Sequence, residues 1–142
     1  NAKKHELNNP SCLPSILAQP QHIEPVFLNL ISNACYALKK KYPVQHDDKI
    51  LRIAAKQVKV DNNPFVRITF HDHGTGIPRA IRDKIMDPFF TTKAGDGTGL
   101  GLSISHGIIS EHGGRIKIES REGLFTKIII DLPESRSTQT SQ

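Results

Sequence analysis

Residues 49–72 read KILRIAAKQVKVDNNPFVRITFHD, two runs rich in apolar residues joined by a turn of four residues, the last of which also begins the second run. Runs that contain this much Ile, Val, Phe and Thr predict strands, here over residues 49–60 and 64–72. The intervening Asp61-Asn62-Asn63-Pro64 consists of residue types that end a strand and reverse the chain. The stretch therefore predicts an antiparallel hairpin, and we expect the fold to be organised around the sheet that contains it.

On either side of the hairpin, the apolar spacing predicts helices and more strands. Apolar side chains recur at helical spacing from Gln21 to Lys41, and a second helix is predicted from Gly99 to Glu111. The other predicted elements are a short strand near Ser15–Ala18, a short helix near Arg79–Ile85, and strands near 115–120 and 124–132. This order predicts an α/β (α+β) two-layer sandwich, in which about three helices cover one face of a mixed, mostly antiparallel sheet.

Length and composition indicate one soluble domain. The 142 residues suffice for a single core, and we expect a domain over residues 1–133 and a polar tail or linker at 134–142. No apolar run approaches the ~18 residues of a membrane-spanning helix, so we expect no membrane contact by this domain and a cytoplasmic location. Cys12 and Cys35 are too few for a disulfide framework, which fits a reducing compartment.

The formal net charge of +5 is compatible with a nucleic-acid surface or with a small anionic ligand. Its lysines and arginines are scattered, apart from Lys39-Lys40-Lys41 at the end of a predicted helix, where cations suit the helix dipole. We therefore expect an anionic ligand and no nucleic acid.

Four polar residues form a stripe along the first predicted helix. Asn29, Asn33, Tyr36 and Lys40 are spaced by four, three and four residues, and the stripe lies beside the apolar face. Amide oxygens one turn apart could bind a hard cation such as Mg²⁺, although solvated asparagines would give the same pattern.

The second candidate site is Asp72-His73-Gly74-Thr75-Gly76, which follows a predicted strand. A carboxylate at a strand end, next to glycines that permit close approach, could accept a hydrogen bond from the amino group of a flat base. An ordinary tight turn would look the same. His71 and His73 suggest a metal site, but no further ligand cluster accompanies them.

Two loop motifs complete the set. In Asp87-Pro88-Phe89-Phe90-Thr91-Thr92-Lys93, adjacent phenylalanines could anchor a loop that carries Lys93 to phosphate oxygens. The second motif, Gly95-Asp96-Gly97-Thr98-Gly99-Leu100-Gly101-Leu102, enters the second predicted helix, where backbone N–H groups can converge on an anion. Together the four motifs predict one nucleotide site.

In this order the motifs resemble the N, G1, F and G2 boxes of the catalytic domains of sensor histidine kinases, members of an ATPase superfamily with the Bergerat ATP-binding fold. The resemblance spans residues 14 to 133, including Gly123, Thr126 and Leu132-Pro133 near the end. It departs from the family at Tyr36, His73, Met86 and Phe125, where many members carry lysine, asparagine, an aromatic residue and glycine.

The resemblance implies ATP and Mg²⁺ as ligands and assigns roles to residues. It places Mg²⁺ at Asn29 and Asn33, the adenine amino group at Asp72, and catalytic contacts at Asn29, Asn33 and Lys93. The nucleotide-binding residues that it implies are Asn29, Asn33, Tyr36, Lys40, Asp72, Gly74, Gly76, Ile77, Phe90, Thr91, Thr92, Lys93, Gly97, Thr98, Gly99, Leu100, Gly101, Leu102 and Thr126.

The resemblance also implies a phosphotransferase that acts on another domain. Related ATPases that hydrolyse ATP carry a glutamate base where this chain has Asn29, and an amide cannot accept that proton. The expected partners are a histidine-bearing dimerisation domain of a parent kinase, which could be membrane-anchored, and a response-regulator receiver domain. A serine kinase of the anti-sigma-factor type and a nucleotide-gated interaction module are the alternatives.

His5 precedes prolines at 10, 14 and 20, so we expect it in the first strand or an adjoining loop and not on a phosphoacceptor helix.

Overall fold

The sheet and helices form from the segments that carry the apolar periodicity. The computed structural model describes residues 4–8, 20–84 and 101–134. In chain order these residues form β1 (Lys4–Asn8), α1 (Pro20–Lys41), β2 (Ile50–Val60), β3 (Asn63–Asp72), α2 (Arg79–Arg82), α3 (Gly101–Glu111), β4 (Arg115–Arg121) and β5 (Phe125–Pro133).

The predicted hairpin is the centre of the sheet. β2 and β3 pair along ten residues in an antiparallel register, from Val60 opposite Asn63 to Leu51 opposite Asp72. The turn consists of Asp61 and Asn62, whose φ angles of 52° and 68° both lie in the left-handed region. Two such residues make the tight turn whose twist matches that of the strands, so the reversal takes two residues and not the four that the sequence indicated.

The five described strands form one mixed sheet in the order β1-β2-β3-β5-β4. β1 is parallel to β2, and every other neighbouring pair is antiparallel. The two helices that contact the sheet most, α1 and α3, also contact each other. The predicted two-layer sandwich is confirmed.

The core lies between the helices and one face of the sheet. Leu30 and Leu38 of α1 and Ile109 of α3 are fully buried against Leu51 and Ile130 of the sheet. On β3 the buried residues alternate with half-buried ones, because successive side chains point to opposite faces. The helices therefore cover one face only, and the other is left open among the described residues.

The element boundaries agree with the predictions within about two residues, with a few exceptions. The short helix predicted near Arg79–Ile85 ends at Arg82. The strand predicted near Ser15–Ala18 lies outside the described residues, and the first described strand is β1, where His5 pairs with Leu51. The predicted boundary between domain and tail at residue 133 coincides with the end of β5 and stays a prediction.

Across the described ranges, no helix is both long enough and apolar enough to cross a bilayer.

The hairpin turn offers a test of the fold. Asn62→Gly should stabilise the domain by about 0.5 kcal/mol, because glycine adopts a positive φ without steric cost, whereas Asn62→Ala should cost about 1 kcal/mol. Urea unfolding of the three proteins measures this. Equal stabilities of the two variants would contradict the left-handed turn.

Candidate functional site

The site is built around Asp72, where β3 ends beside the start of β5. Asp72 and Thr126 are cross-strand partners, and the two residues are only 4% and 8% exposed. The alternation of β3 and β5 points both side chains towards the helix layer, in line with the core residues before and after them. Two of the predicted site residues, far apart in sequence, therefore meet under α1.

Gly74 allows α1 to pack directly on the turn that follows Asp72. A Cβ at residue 74 would lie 2.7 Å from the Cβ of Ala37 and 2.9 Å from its carbonyl carbon. The backbone N–H of Gly74 donates to Oδ1 of Asp72 at 2.8 Å, which fixes the carboxylate in the turn. The sequence predicted glycine here for the close approach of a flat ligand, whereas the structure shows that at Gly74 it is helix α1 that approaches closely.

Gly76 and Gly123 bring the turn against the end of the next hairpin. Gly76 has a φ of 71°, and a Cβ there would overlap the carbonyl of Arg121. The N–H of Gly123 donates to the carbonyl of Thr75 at 2.6 Å. Lys41, from the end of α1, donates to the carbonyl of Gly123 at 2.7 Å. The turn is thus held from both sides.

Ser120 anchors the other end of this turn. Its hydroxyl accepts from the N–H of Ile77 at 2.8 Å and donates to the carbonyl of Phe125 at 2.7 Å. The hydroxyl of Thr126 lies 3.2 Å away, and Arg82 of α2 donates to the carbonyl of Ser120. One buried serine therefore connects the Asp72 turn, the short helix and β5.

The carboxyl of Asp72 is unusually easy to protonate. Burial raises its pKa from 3.8 to about 6, although the bond from Gly74 and the positive charge of Lys41 both act to lower it. A carboxylate that is short of solvent and of donors gains much from any new N–H that approaches it. Asp72 is therefore suited to bind an amino group.

The polar stripe of α1 lies along the rim of the same site. Asn29, Asn33 and Tyr36 are half-buried and Lys40 is exposed. The side-chain amide of Asn29 donates from Nδ2 to Oγ of Ser105 on α3 at 3.3 Å. Because the nitrogen is used in this way, the carbonyl oxygen is the atom that Asn29 can offer to a cation.

The remaining predicted site residues fall mostly outside the described part of the chain. Gly101 is the first residue of α3, and Leu102 packs against the core. The others lie outside it: Phe90, Thr91, Thr92, Lys93, Gly97, Thr98, Gly99 and Leu100. Their predicted contacts with phosphate remain predictions.

Three residues that support the site were not identified from the sequence: Ser105, Ser120 and Lys41. Each acts on a residue distant in the chain, and single serines or one lysine in a basic run carry no local pattern. Lys41, next to the predicted Lys40, is the lysine that contacts the Asp72 region.

His71 and His73 do not form a recognisable metal site in the described residues. Their rings lie edge to face with centroids 5.1 Å apart, and His71 also meets the ring of Phe125 at 5.5 Å. Burial and the neighbouring charges lower the pKa of His71. Within the same residues, no group of three or more His, Cys, Asp or Glu side chains could hold a metal ion.

Comparison with known families gives a match over most of the chain. Residues 18–136 match the family described as histidine kinase-, DNA gyrase B- and HSP90-like ATPases. The solved catalytic domain of histidine kinase ThkA, in a nucleotide-free form, superposes with a TM-score of 0.68 at 32% identity, covering 96% of this chain and 81% of that one.

Curated relatives are similar in sequence but much longer. Sensor histidine kinase ZraS of Escherichia coli K12 is 38% identical over 85% of this chain, and sporulation kinase E of Bacillus subtilis is 34% identical over 89%. The matched regions make up only 23% and 16% of those proteins. The chain thus spans less than a quarter of the length of either relative.

Replacing Asp72 with asparagine, which has nearly the same shape but no charge, should show how the charge affects the stability of the domain. The folded protein holds a proton on Asp72 between pH 3.8 and about 6 that the unfolded chain has released, so stability falls as the pH rises through this window. A shift of about two units corresponds to roughly 3 kcal/mol at most. Asp72→Asn should therefore be more stable than the parent at pH 7, and this advantage should largely disappear near pH 4. Urea unfolding at both pH values measures it, and an equal difference at both would show that the carboxylate is not strained by burial.

The packing of α1 on the turn can be tested with two matched glycine variants. Gly74→Ala should cost about 1–3 kcal/mol, because the new methyl group meets Ala37 and the helix backbone. Gly107→Ala is the control, since a Cβ there would have no heavy atom within 4 Å, and it should stabilise α3 by up to about 1 kcal/mol. Ala37→Gly should be less harmful in the Gly74→Ala background than alone. Thermal unfolding of the three single variants and of the Ala37→Gly/Gly74→Ala double variant measures these effects. If the changes at residues 37 and 74 alter the stability additively, the two residues are not in direct contact.

Proposed function

Because the chain belongs to the family of histidine kinase-, DNA gyrase B- and HSP90-like ATPases, we propose that it is the catalytic domain of a sensor histidine kinase. In this function it binds Mg²⁺-ATP and transfers the γ-phosphoryl group to a histidine of another domain. The observation that carries the proposal is the buried Asp72 carboxylate beneath α1, framed by Gly74 and Thr126.

The adenine end of the proposed site has the groups that an aminopurine requires. Asp72 would accept a hydrogen bond from the exocyclic amino group of adenine, and Thr126 lies beside it on the neighbouring strand. Guanine presents a carbonyl oxygen at the equivalent position, which would face the carboxylate without a proton between them. Buried, unmatched polar groups penalise the wrong ligand strongly, so the site favours ATP over GTP.

The phosphate end would lie along α1 and the start of α3. Asn29 and Asn33 are one turn apart, and their carbonyl oxygens are hard ligands of the kind that Mg²⁺ prefers. The bond from Asn29 to Ser105 ties α1 to α3 at this point. Magnesium would neutralise charge on the transferred phosphoryl group, and Lys93 and the glycines at 97, 99 and 101 are the proposed protein contacts.

Asn29 also determines which nucleophile is favoured. Activation of water requires a base, and the Asn29 amide cannot take a proton from it. A neutral imidazole needs no such base. We therefore expect the nucleophile to be a histidine on a dimerisation domain of the parent protein, from which a response-regulator receiver domain would take the phosphoryl group.

Binding measurements test the nucleotide part of the proposal. Isothermal titration should show ATP binding that is tighter with Mg²⁺, with Asn33→Asp altering the Mg²⁺ dependence. Asp72→Asn should lose most of the preference for ATP over GTP, because an amide can accept a hydrogen bond from the adenine amino group or donate one to the guanine carbonyl oxygen. No binding at millimolar ATP would refute the nucleotide site, and an unchanged preference for ATP would assign base recognition to another residue.

Phosphotransfer measurements test the catalytic part. With labelled ATP the isolated chain should show only trace hydrolysis, and adding the histidine-bearing helical domain of a sensor kinase should give a labelled histidine on that domain. Rapid turnover by the isolated chain, or label on His5, would contradict the proposed division of labour. Binding without transfer to any supplied histidine domain would favour a nucleotide-gated interaction module.

A further inference from the structure

The face of the sheet that the helices leave open concentrates the positive charge of the chain. On β2 to β5, the outward positions carry seven lysines and arginines against two carboxylates. This excess of five equals the formal net charge of the entire 142-residue chain, so the rest of the protein is balanced. The strand register determines how these charges are arranged.

One row of side chains crosses the sheet at the end nearest Asp72. Arg52, His71, Lys127 and Glu119 are successive cross-strand partners on β2, β3, β5 and β4. Glu119 contacts Lys127 at 3.9 Å and Lys117 at 3.5 Å, so its charge is offset by two lysines. We term these four cross-strand partners the first row.

A second row runs parallel to it, four residues further along each strand. Lys56, Arg67, Asp131 and Arg115 are again successive partners. Both arginines bind Asp131, Arg67 through two nitrogens at 2.8 and 3.1 Å and Arg115 at 3.2 Å. Asp131 is buried beneath them, which leaves a cationic surface whose guanidinium groups are held in place.

Between the rows lies a neutral strip formed by Ala54, Thr69 and Ile129, with Lys117 at its β4 end. At ~3.4 Å per residue, four residues separate the two rows by about 14 Å. An α-helix with its side chains is ~10–12 Å across. The strip therefore has the width of one helix, with positive charge along both sides.

We propose that this open face binds an amphipathic helix of a partner protein, which lies across the strands in the neutral strip. Small apolar residues of the helix would face Ala54, Thr69 and Ile129. Acidic residues on its two flanks would meet the first and second rows. Four strands at ~4.8 Å spacing give a contact for roughly ten to twelve helical residues.

The arrangement fits a helix better than it fits other polyanions. Single-stranded nucleic acid binds through aromatic rings on which its bases stack, and the neutral strip contains none. His71 meets Phe125 edge to face within the sheet surface. An anionic membrane would respond to the total charge of the face, whereas a helix requires the part of the strip at Ala54, Thr69 and Ile129 to remain uncharged and open.

The proposal is tested by peptide binding to the 142-residue chain. The probe is a 16-residue labelled helical peptide with an Ala/Leu stripe and glutamates on both flanks, and its control is a permuted peptide of the same composition. Arg52→Glu combined with Lys56→Glu changes one residue of each row. Lys39→Glu combined with Lys59→Glu makes the same change in charge at exposed residues off this face.

Fluorescence anisotropy should show that the probe binds and that the permuted peptide binds at least about tenfold more weakly. The Arg52/Lys56 variant should weaken binding about tenfold or more, and the Lys39/Lys59 variant by no more than about twofold. Equal effects of the two double variants, or equal binding of the two peptides, would overturn the proposal.

Thr69→Arg distinguishes a helix from the other partners. It adds a positive charge but fills the neutral strip, so it should weaken peptide binding while strengthening binding of a 20-nucleotide single strand or of phosphatidylserine vesicles. Stronger peptide binding by Thr69→Arg would overturn the helix model in favour of a general polyanion surface. Melting curves confirm that each variant folds. If the Arg52/Lys56 variant does not fold, the milder exposed change Lys56→Gln replaces it, with Lys59→Gln as the control off this face. ATP titrations of the same variants should be unchanged, which separates this test from that of the proposed function.

Discussion

The close approach of α1 to the turn after β3 is the constraint on which the rest of the site depends. It is possible because residue 74 has no side chain, and the helix surface at Ala37 occupies that space. The contact places the Asp72 carboxylate directly under the helix. Asn33 and Asn29, in the polar stripe of α1, lie about one and two helical turns from Ala37 along the rim of the site. A larger residue at position 74 would have to move a helix of 22 residues, so the geometry of both ends of the site is linked.

Holding Asp72 under this helix has an energetic cost. The carboxylate accepts one backbone bond and feels one nearby lysine, and its pKa still rises to about 6. At neutral pH the ionised form is therefore less stable in the folded domain than in the unfolded chain. The folded protein thus contains a buried carboxylate with too few hydrogen-bond donors, and side chains with perturbed pKa values of this kind are common at functional sites. The proposed adenine amino group would supply the missing donor.

The sequence was sufficient to predict the features that are encoded by periodic spacing or by turn residues within a short segment. Helical spacing in α1, the two strands of the hairpin and the glycines that allow close approach all leave a signature within a few residues. The supporting contacts leave none. Asn29 with Ser105, Ile77 with Ser120 and Lys41 with Gly123 join residues 76, 43 and 82 positions apart.

These supporting contacts depend on strand order, which local patterns do not determine. Ser120 can reach Ile77 because β5 lies between β3 and β4, so that the β4–β5 turn comes back to the end of β3. A sequence in which β4 paired directly with β3 would show the same periodicities. The charge rows on the open face have the same origin, since they exist only in the register that brings Arg67 and Arg115 to opposite sides of Asp131.

Alternation along β3 connects the two surfaces of the domain. Asp72 points into the proposed nucleotide site, and the residue before it, His71, belongs to the first row of the open face. The cross-strand partners follow the same rule, with Thr126 inside and Lys127 outside. A helix docked on the open face and a nucleotide under α1 would therefore contact adjacent residues of the same two strands. If either ligand changes the pairing at this strand end, thermodynamic linkage requires that each alter the affinity for the other by the same factor.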